Sequence, residues 1–187
     1  KVHTHYGDLL DYPSLVRIMT KVMPDEIYNL GAMSHVRVSF DMPSFTIQTN
    51  ALGVLNMLEV YRTICPSAKF YQASSSEMFG LHTEERLSEE STFNPNSPYA
   101  EAKLENHKKV LDFSQKYDWK IYSGIMFNHE SQFREDKYLF MKIINSAIDI
   151  KNKKLKKLVV GSLDYVRDWS FAGDISKAIY TITNKGS

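Results

Sequence analysis

Short strand-like runs alternate with helix-period stretches along almost the whole chain, and this alternation decides the fold class. Glu26-Ile27-Tyr28-Asn29-Leu30, Lys69 to Ala73, Lys120 to Phe127 and Leu158 to Val160 read as strands. Lys1 to Tyr6 reads as a strand end, closed by the turn Gly7-Asp8. Between these runs lie helices. Asp11 is placed to cap the first, with Pro13 in its opening turn, Leu15, Ile18, Met19 and Val22 on one face, and Pro24 as its stop. Pro43 opens a second helix that puts Ile47, Ala51, Val54, Leu55 and Leu58 on one side. A third contains Tyr99 and runs to about Lys116, a fourth spans roughly Tyr138 to Asn152, and a last begins near Ala172. Alternation of this kind specifies an α/β protein: a doubly wound parallel sheet covered by helices.

The chain has 187 residues, enough for one domain with a real core. A net charge of +1 argues against a strongly basic nucleic-acid binder. The lysines from Lys151 to Lys157 are read as a solvated helix end, where cations oppose the helix dipole. The single cysteine, Cys65, can form no internal disulfide, which suits a reducing, cytoplasmic setting. There is no stretch long and apolar enough to cross a membrane, and no signal-peptide pattern. The histidines show no metal-ligand spacing, so no metal is expected.

In a parallel sheet, ligands bind beyond the carboxyl ends of the strands. The segments there are Gly7-Asp8-Leu9, Leu30-Gly31-Ala32-Met33-Ser34, Ser74-Ser75-Ser76-Glu77 and Asn128-His129-Glu130. A polar loop from Ser74 to Ser97 follows the third of these and contains Glu84-Glu85-Arg86. Tyr99 and Lys103 lie one turn apart on one helix face. A cation beside a phenol favours the phenolate, so this spacing predicts a lowered Tyr99 pKa and a tyrosine able to take a proton from an alcohol. Each residue also has a plain reading. Tyr99 serves as a buried aromatic, Ser75 as a cap, Glu77 as a loop carboxylate, His129 as a core histidine, and Arg167 with Asp168 as a surface ion pair.

Several stretches carry a family resemblance. They are His5-Tyr6-Gly7-Asp8-Leu9, Glu26 to Val36, Phe70 to Glu77, Ser97-Pro98-Tyr99 with Lys103, Phe127-Asn128-His129-Glu130-Ser131 and Arg167-Asp168-Trp169. In that order they resemble the extended short-chain dehydrogenase/reductase family and, within it, the GDP-mannose 4,6-dehydratases. The resemblance implies a Rossmann domain that binds NADP, followed by a smaller nucleotide-sugar region. It implies Tyr99 as the base at the sugar C4 hydroxyl, Lys103 as its cationic neighbour and ribose contact, and Glu77 as the C5 base. It implies Ser75, where the family usually has threonine, as a donor to the C4 oxygen. It places Asp8, Leu9, Leu30, Gly31, Ala32, Met33, Ser34, Tyr99, Lys103, His129 and Arg134 against the cofactor. Ser34, Ser75, Glu77, Asn128 and Arg167 would meet the nucleotide sugar, GDP-mannose. A homo-oligomer is expected of the full-length protein, with neither nucleic acid nor membrane as partner.

The sequence also departs from the family pattern. The family's glycine-rich phosphate loop and first two strands do not occur in it, and it stops before most of the substrate region. The expected division is a partial Rossmann domain over 1–130 and its last elements with the start of the substrate region over 131–187. After Ser131 the family has proline and two arginines, whereas this chain has Gln132-Phe133-Arg134-Glu135-Asp136, and Phe45 stands where tyrosine is frequent. Two alternatives to GDP-mannose dehydration remain open. One is a related nucleotide-sugar dehydratase or epimerase, the epimerase disfavoured by Glu77. The other is a truncated, non-catalytic relative.

Overall fold

A three-stranded parallel sheet organises the larger part of the chain. The structure, a computed structural model, describes residues 1–81, 86–136, 138–161, 163–164 and 166–186; Glu84 and Glu85 of the polar loop lie outside the described residues. Two units are resolved by their contacts: Lys1–Met126 with Ile179–Ser187, and Phe127–Ala178.

In the first unit, β1 (Glu26–Asn29), β2 (Lys69–Ser75) and β3 (Ile121–Met126) are parallel in the order β1-β2-β3. Cross-strand rows explain the packing. Ile27, Phe70 and Ile121 are aligned and all buried. They form one core with Leu15 and Met19 of α1 (Tyr12–Val22), Val54 and Leu58 of α4 (Gly53–Ile64) and Val110 of α5 (Pro98–Tyr117). Tyr61 completes it, its ring edge-on to Phe70 at 5.5 Å and to Trp119 at 5.3 Å. The next row, Tyr28, Tyr71 and Tyr122, points to the opposite face because side chains alternate along a strand. There Tyr122 donates to the Gly186 carbonyl at 3.1 Å, and Lys69 reaches Asn184 of α7 (Ala172–Lys185) at 2.6 Å.

The caps follow the sequence reading. The Asp11 carboxylate accepts from the Ser14 amide with Pro13 in the first turn, and α1 ends at Met23 in the left-handed conformation. The second expected helix is less regular. It is preceded by a short α2 (Val36–Asp41) and built as α3 (Pro43–Ile47), a π turn over Gln48–Leu52, and α4. The extra residue of a π turn shifts the phase of the buried face. Thr46, Asn50 and Ala51 therefore point inward, and Ile47, expected in the core, is exposed. Gly53 follows at once; a Cβ there would come 2.8 Å from Leu9 Cβ, so the close approach of the 7–9 turn requires glycine.

In the second unit, β4 (Asn128–Glu130) and β5 (Trp169–Phe171) pair in parallel, Asn128 opposite Trp169 and Glu130 opposite Phe171. The expected strand over Lys120 to Phe127 thus ends at Met126, and a second short sheet begins two residues later. The α6 helix spans Leu139–Lys151, and the remaining lysines of the run lie beyond its end, exposed. Two expected strands do not form. Among the described residues, Lys1 to Tyr6 has no strand beside it; Arg17 ties the Tyr6 carbonyl instead, at 3.1 Å. At Leu158 to Val160, the Val159 carbonyl accepts from Lys142 at 2.7 Å rather than from a ladder. Among the described residues, no helix is long and apolar enough to cross a membrane, and no His/Cys/Asp/Glu group is arranged to hold a metal.

Candidate active site

The carboxyl end of β2 turns directly into a single 3-10 turn, Ser76–Phe79. Ser75 is buried and caps that turn, its hydroxyl accepting from the Glu77 amide at 3.2 Å. The cap leaves the Glu77 side chain exposed, while Met78 and Phe79 anchor the turn from below. Gly80 closes it at φ +66, and a Cβ there would collide with the Asn94 carbonyl. The Asn94 amide in turn donates to the Met78 carbonyl at 3.1 Å. The segment at Asn94 is therefore held against the turn that carries Glu77.

The start of α5 is fixed by Ser97, whose hydroxyl accepts from the Ala100 amide at 3.1 Å, and by Pro98 in the first turn. The helix lays Tyr99 and Lys103 against β2, 8% and 4% exposed. The Lys103 ammonium sits 5.7 Å from the Tyr99 ring centre and donates to the Ala73 carbonyl at 2.8 Å. Burial pulls the Lys103 pKa down to about 8.

The Tyr99 phenol is shifted the other way from the expectation of a lowered pKa. Burial raises it, the Ser75 hydroxyl pulls it down by a hydrogen bond, and the Glu77 carboxylate adds to the rise. Burial is the largest of these causes, so desolvation of the phenolate sets the direction.

Beneath these groups lies a polar layer. Asn29 donates to Gln72 at 2.8 Å, and Gln72 donates to the Ala73 carbonyl at 3.1 Å. Nδ1 of His107, one turn beyond Lys103, lies 2.8 Å from the Ser123 hydroxyl, which is itself 2.8 Å from that of Ser74.

After β1, Leu30, Gly31 and Ser34 are exposed, and Ala32 and Met33 half-buried. Asn50, in the π turn, holds this segment from both sides: its side chain accepts from the Met33 amide at 2.8 Å and donates to the Met33 carbonyl at 3.0 Å. Sequence reasoning passed over Asn50. A buried asparagine inside an apolar helical stretch was the available signal. Asp8 is exposed, its carboxylate taking the Leu10 amide at 2.8 Å, and Leu9 is half-buried.

The remaining expected site residues belong to the second unit. Asn128 donates to the Asp168 carbonyl at 3.0 Å, and His129 Nδ1 lies 2.8 Å from the Phe127 carbonyl. Arg134 lies 3.3 Å from the Glu130 carboxylate and stacks 3.7 Å over the Tyr138 ring. Arg167 is exposed and donates to its neighbour's carbonyl at Val166. The structure thus brings Ser75, Glu77, Tyr99 and Lys103 together at one strand end, and sets Asn128, His129, Arg134 and Arg167 on a separate short sheet and its flanks.

A hydroxyl, a carboxylate, a phenol and an amine at one strand end suit proton transfer at a substrate alcohol and an adjacent carbon. The chain is 39% identical over 189 residues to the GDP-mannose 4,6 dehydratase of Drosophila melanogaster, covering 100% of this chain and 48% of that protein. It is 43% identical over 172 residues to the GDP-mannose 4,6-dehydratase of Vibrio cholerae, covering 91% and 46%. It spans about half the length of these curated relatives. Among solved structures, RMD from Pseudomonas aeruginosa complexed with NADPH superposes with a TM-score of 0.91 at 26% identity, over 100% of this chain and 65% of that one. The fold is accordingly of the NAD(P)-binding Rossmann type. The family model for GDP-mannose 4,6 dehydratase matches residues 1–187, so the chain belongs to that family.

Proposed function

We propose that the protein to which this chain belongs dehydrates GDP-mannose to GDP-4-keto-6-deoxy-mannose with NADP as internal hydride carrier. The observation that carries the reading is the cluster of Ser75, Glu77, Tyr99 and Lys103 at the end of β2, in a chain of this family.

The residues present fit the nicotinamide-ribose half of such a cofactor. An ammonium has three donors, and the Ala73 carbonyl takes one from Lys103, which leaves donors for a ribose diol. Lys103 and Tyr99 would hold that half, the Leu30 to Ser34 segment the middle, Asp8 and Leu9 the adenine side, and His129 and Arg134 further contacts. When bound, NADP supplies a positive ring charge, accepts hydride from C4 and returns it at C6.

Tyr99 holds its proton near neutral pH in the ligand-free chain, because burial raises its pKa. Positive charge at the site favours the phenolate. As phenolate, Tyr99 takes the O4 proton while the Ser75 hydroxyl donates to O4. The ketone formed at C4 acidifies C5–H, and Glu77 accepts that proton. Glu77 then returns it to the C6 hydroxyl, which leaves as water. The proton that Tyr99 took from O4 balances the one C5 regains, so the sugar loses water without net oxidation. Asn128, Arg167 and Ser34 are assigned to holding the nucleotide sugar.

The full-length protein, incubated with GDP-mannose and NADP, tests this. The expected result is a product lighter by one water, carrying a ketone and deuterium at C5 when the reaction runs in heavy water. Unchanged GDP-mannose overturns the reading. Loss of water from another nucleotide sugar in its place would move the substrate assignment to a related dehydratase.

A further inference from the structure

Gln72 is 1% exposed, at the middle of the central strand, yet it is polar. A buried amide requires a reason, since an unpaired donor or acceptor there loses its hydration uncompensated. Its neighbours supply one. Asn29 and Gln72 are cross-strand partners, so their side chains share a face. The Gly31 amide donates to Asn29 Oδ1 at 3.3 Å, and Asn29 Nδ2 donates to Gln72 Oε1 at 2.8 Å. Gln72 Nε2 donates to the Ala73 carbonyl at 3.1 Å, and Lys103 donates to that same carbonyl at 2.8 Å.

The direction of this row is fixed by its ends. A backbone N–H can only donate, so Asn29 must turn its oxygen to Gly31 and its NH2 to Gln72. Gln72 must then turn its oxygen to Asn29 and its NH2 to Ala73. A backbone carbonyl, which can only accept, terminates the row and is shared with an ammonium, which can only donate. Neither amide can flip without setting two donors or two acceptors face to face. The row therefore runs one way, from the turn after β1 to the amine beside Tyr99.

We propose that Gln72 is a positioning residue for Lys103: the row Gly31–Asn29–Gln72–Ala73 holds the shared carbonyl, and through it the ammonium, in register with the turn after β1. This rests on the reading of Lys103 and of the Leu30 to Ser34 segment given under Proposed function. Both segments would touch one cofactor, so a device that fixes their spacing bears on rate more than on substrate affinity. Gln72→Met keeps the volume and removes the row. Gln72→Glu keeps an acceptor for Asn29 but sets a carboxylate, not a donor, beside the Ala73 carbonyl and the Lys103 ammonium.

The experiment uses the full-length protein with two readouts. The first is kcat and KM for GDP-mannose; the second is the Lys103 titration followed by NMR on labelled lysine and assigned with Lys103→Met. Gln72→Met should lower kcat by about tenfold to a hundredfold, the scale of a small misplacement of a reacting group, with KM within about threefold. Gln72→Glu should raise the Lys103 midpoint, because a new anion favours the ammonium. The proposal is overturned if Gln72→Met keeps wild-type kcat per folded molecule. It is equally overturned if the Lys103 midpoint stays in place in Gln72→Glu. Should the wild-type protein leave GDP-mannose untouched, the functional reading fails, and the Lys103 titration alone still decides the link to Gln72.

Discussion

The two units treat their polar residues in opposite ways. In the first, Tyr99 and Lys103 are buried, Ser75 is locked as a cap, and the layer beneath is hydrogen-bonded from Asn29 to Ala73. In the second, α6 contributes no buried residue, and Leu139, Ile143 and Ile148 face solvent together with Trp169 and Phe171 of β5. The groups proposed for chemistry are thus positioned by a core the chain itself builds. Of the groups proposed for holding substrate, Asn128 and Arg167 belong to this second unit, whose α6 and β5 leave apolar side chains exposed. Substitutions in the two units should therefore have different consequences.

The largest effect is expected at Tyr99. Tyr99→Phe in the full-length protein removes one hydroxyl and almost no volume. Turnover should fall ~10²–10⁴-fold, the scale of lost general-base catalysis. Nucleotide-sugar binding, measured by calorimetry, should be nearly unchanged. Near-wild-type turnover would take Tyr99 out of the chemistry.

A stability pair comes next. Leu58 is fully buried in the first unit, and Leu58→Ala should cost about 2–5 kcal/mol through lost burial and a cavity. Ile148, exposed on α6, should cost only about 0.5 kcal/mol or less as alanine in this chain. Urea unfolding of both variants checks the contrast, and equal losses would erase the distinction between the units.

A smaller effect concerns pH. The Lys103 pKa is pulled down to about 8 in the fold, against 10.5 for an ordinary lysine. Between those values the unfolded chain holds a proton the folded chain has released. Burial of Lys103 therefore costs stability below pH 8, and that cost is relieved as pH rises toward 10. Above 10 the buried phenols of Tyr61 and Tyr71, pushed up to about 12, reverse the slope. The Cys65 thiol, which burial raises, opposes this trend above pH 9; denaturation of the chain from pH 8 to 10 should show a Lys103-dependent rise that Lys103→Met removes.

Much of the first unit was legible because its signals are local. Asp11, Pro13, Ser97 and Pro98 mark helix starts, and Lys69 to Ala73 is an uninterrupted strand run. The spacing of Tyr99 and Lys103 gave one buried face. What escaped depends on distance or phase. The pairing of Asn128–Glu130 with Trp169–Phe171 joins two three-residue strands across some 40 residues, each too short to announce itself. The π turn at Gln48–Leu52 displaced Ile47 and buried Asn50, and no periodicity argument foresees an inserted residue. The direction of the Tyr99 shift was missed because spacing places Lys103 nearby but cannot say how deeply the phenol is buried.

Glu77→Gln in the full-length protein tests the central assignment most directly. The amide keeps the shape of the carboxylate but cannot accept the C5 proton, whereas oxidation at C4 is assigned to Tyr99. On mixing with GDP-mannose, the variant should show the absorbance of reduced nicotinamide appear and persist, with no 4-keto-6-deoxy product and no deuterium at C5. Rapid formation of that product without a persistent reduced cofactor would contradict the placement of Glu77 as the base at C5.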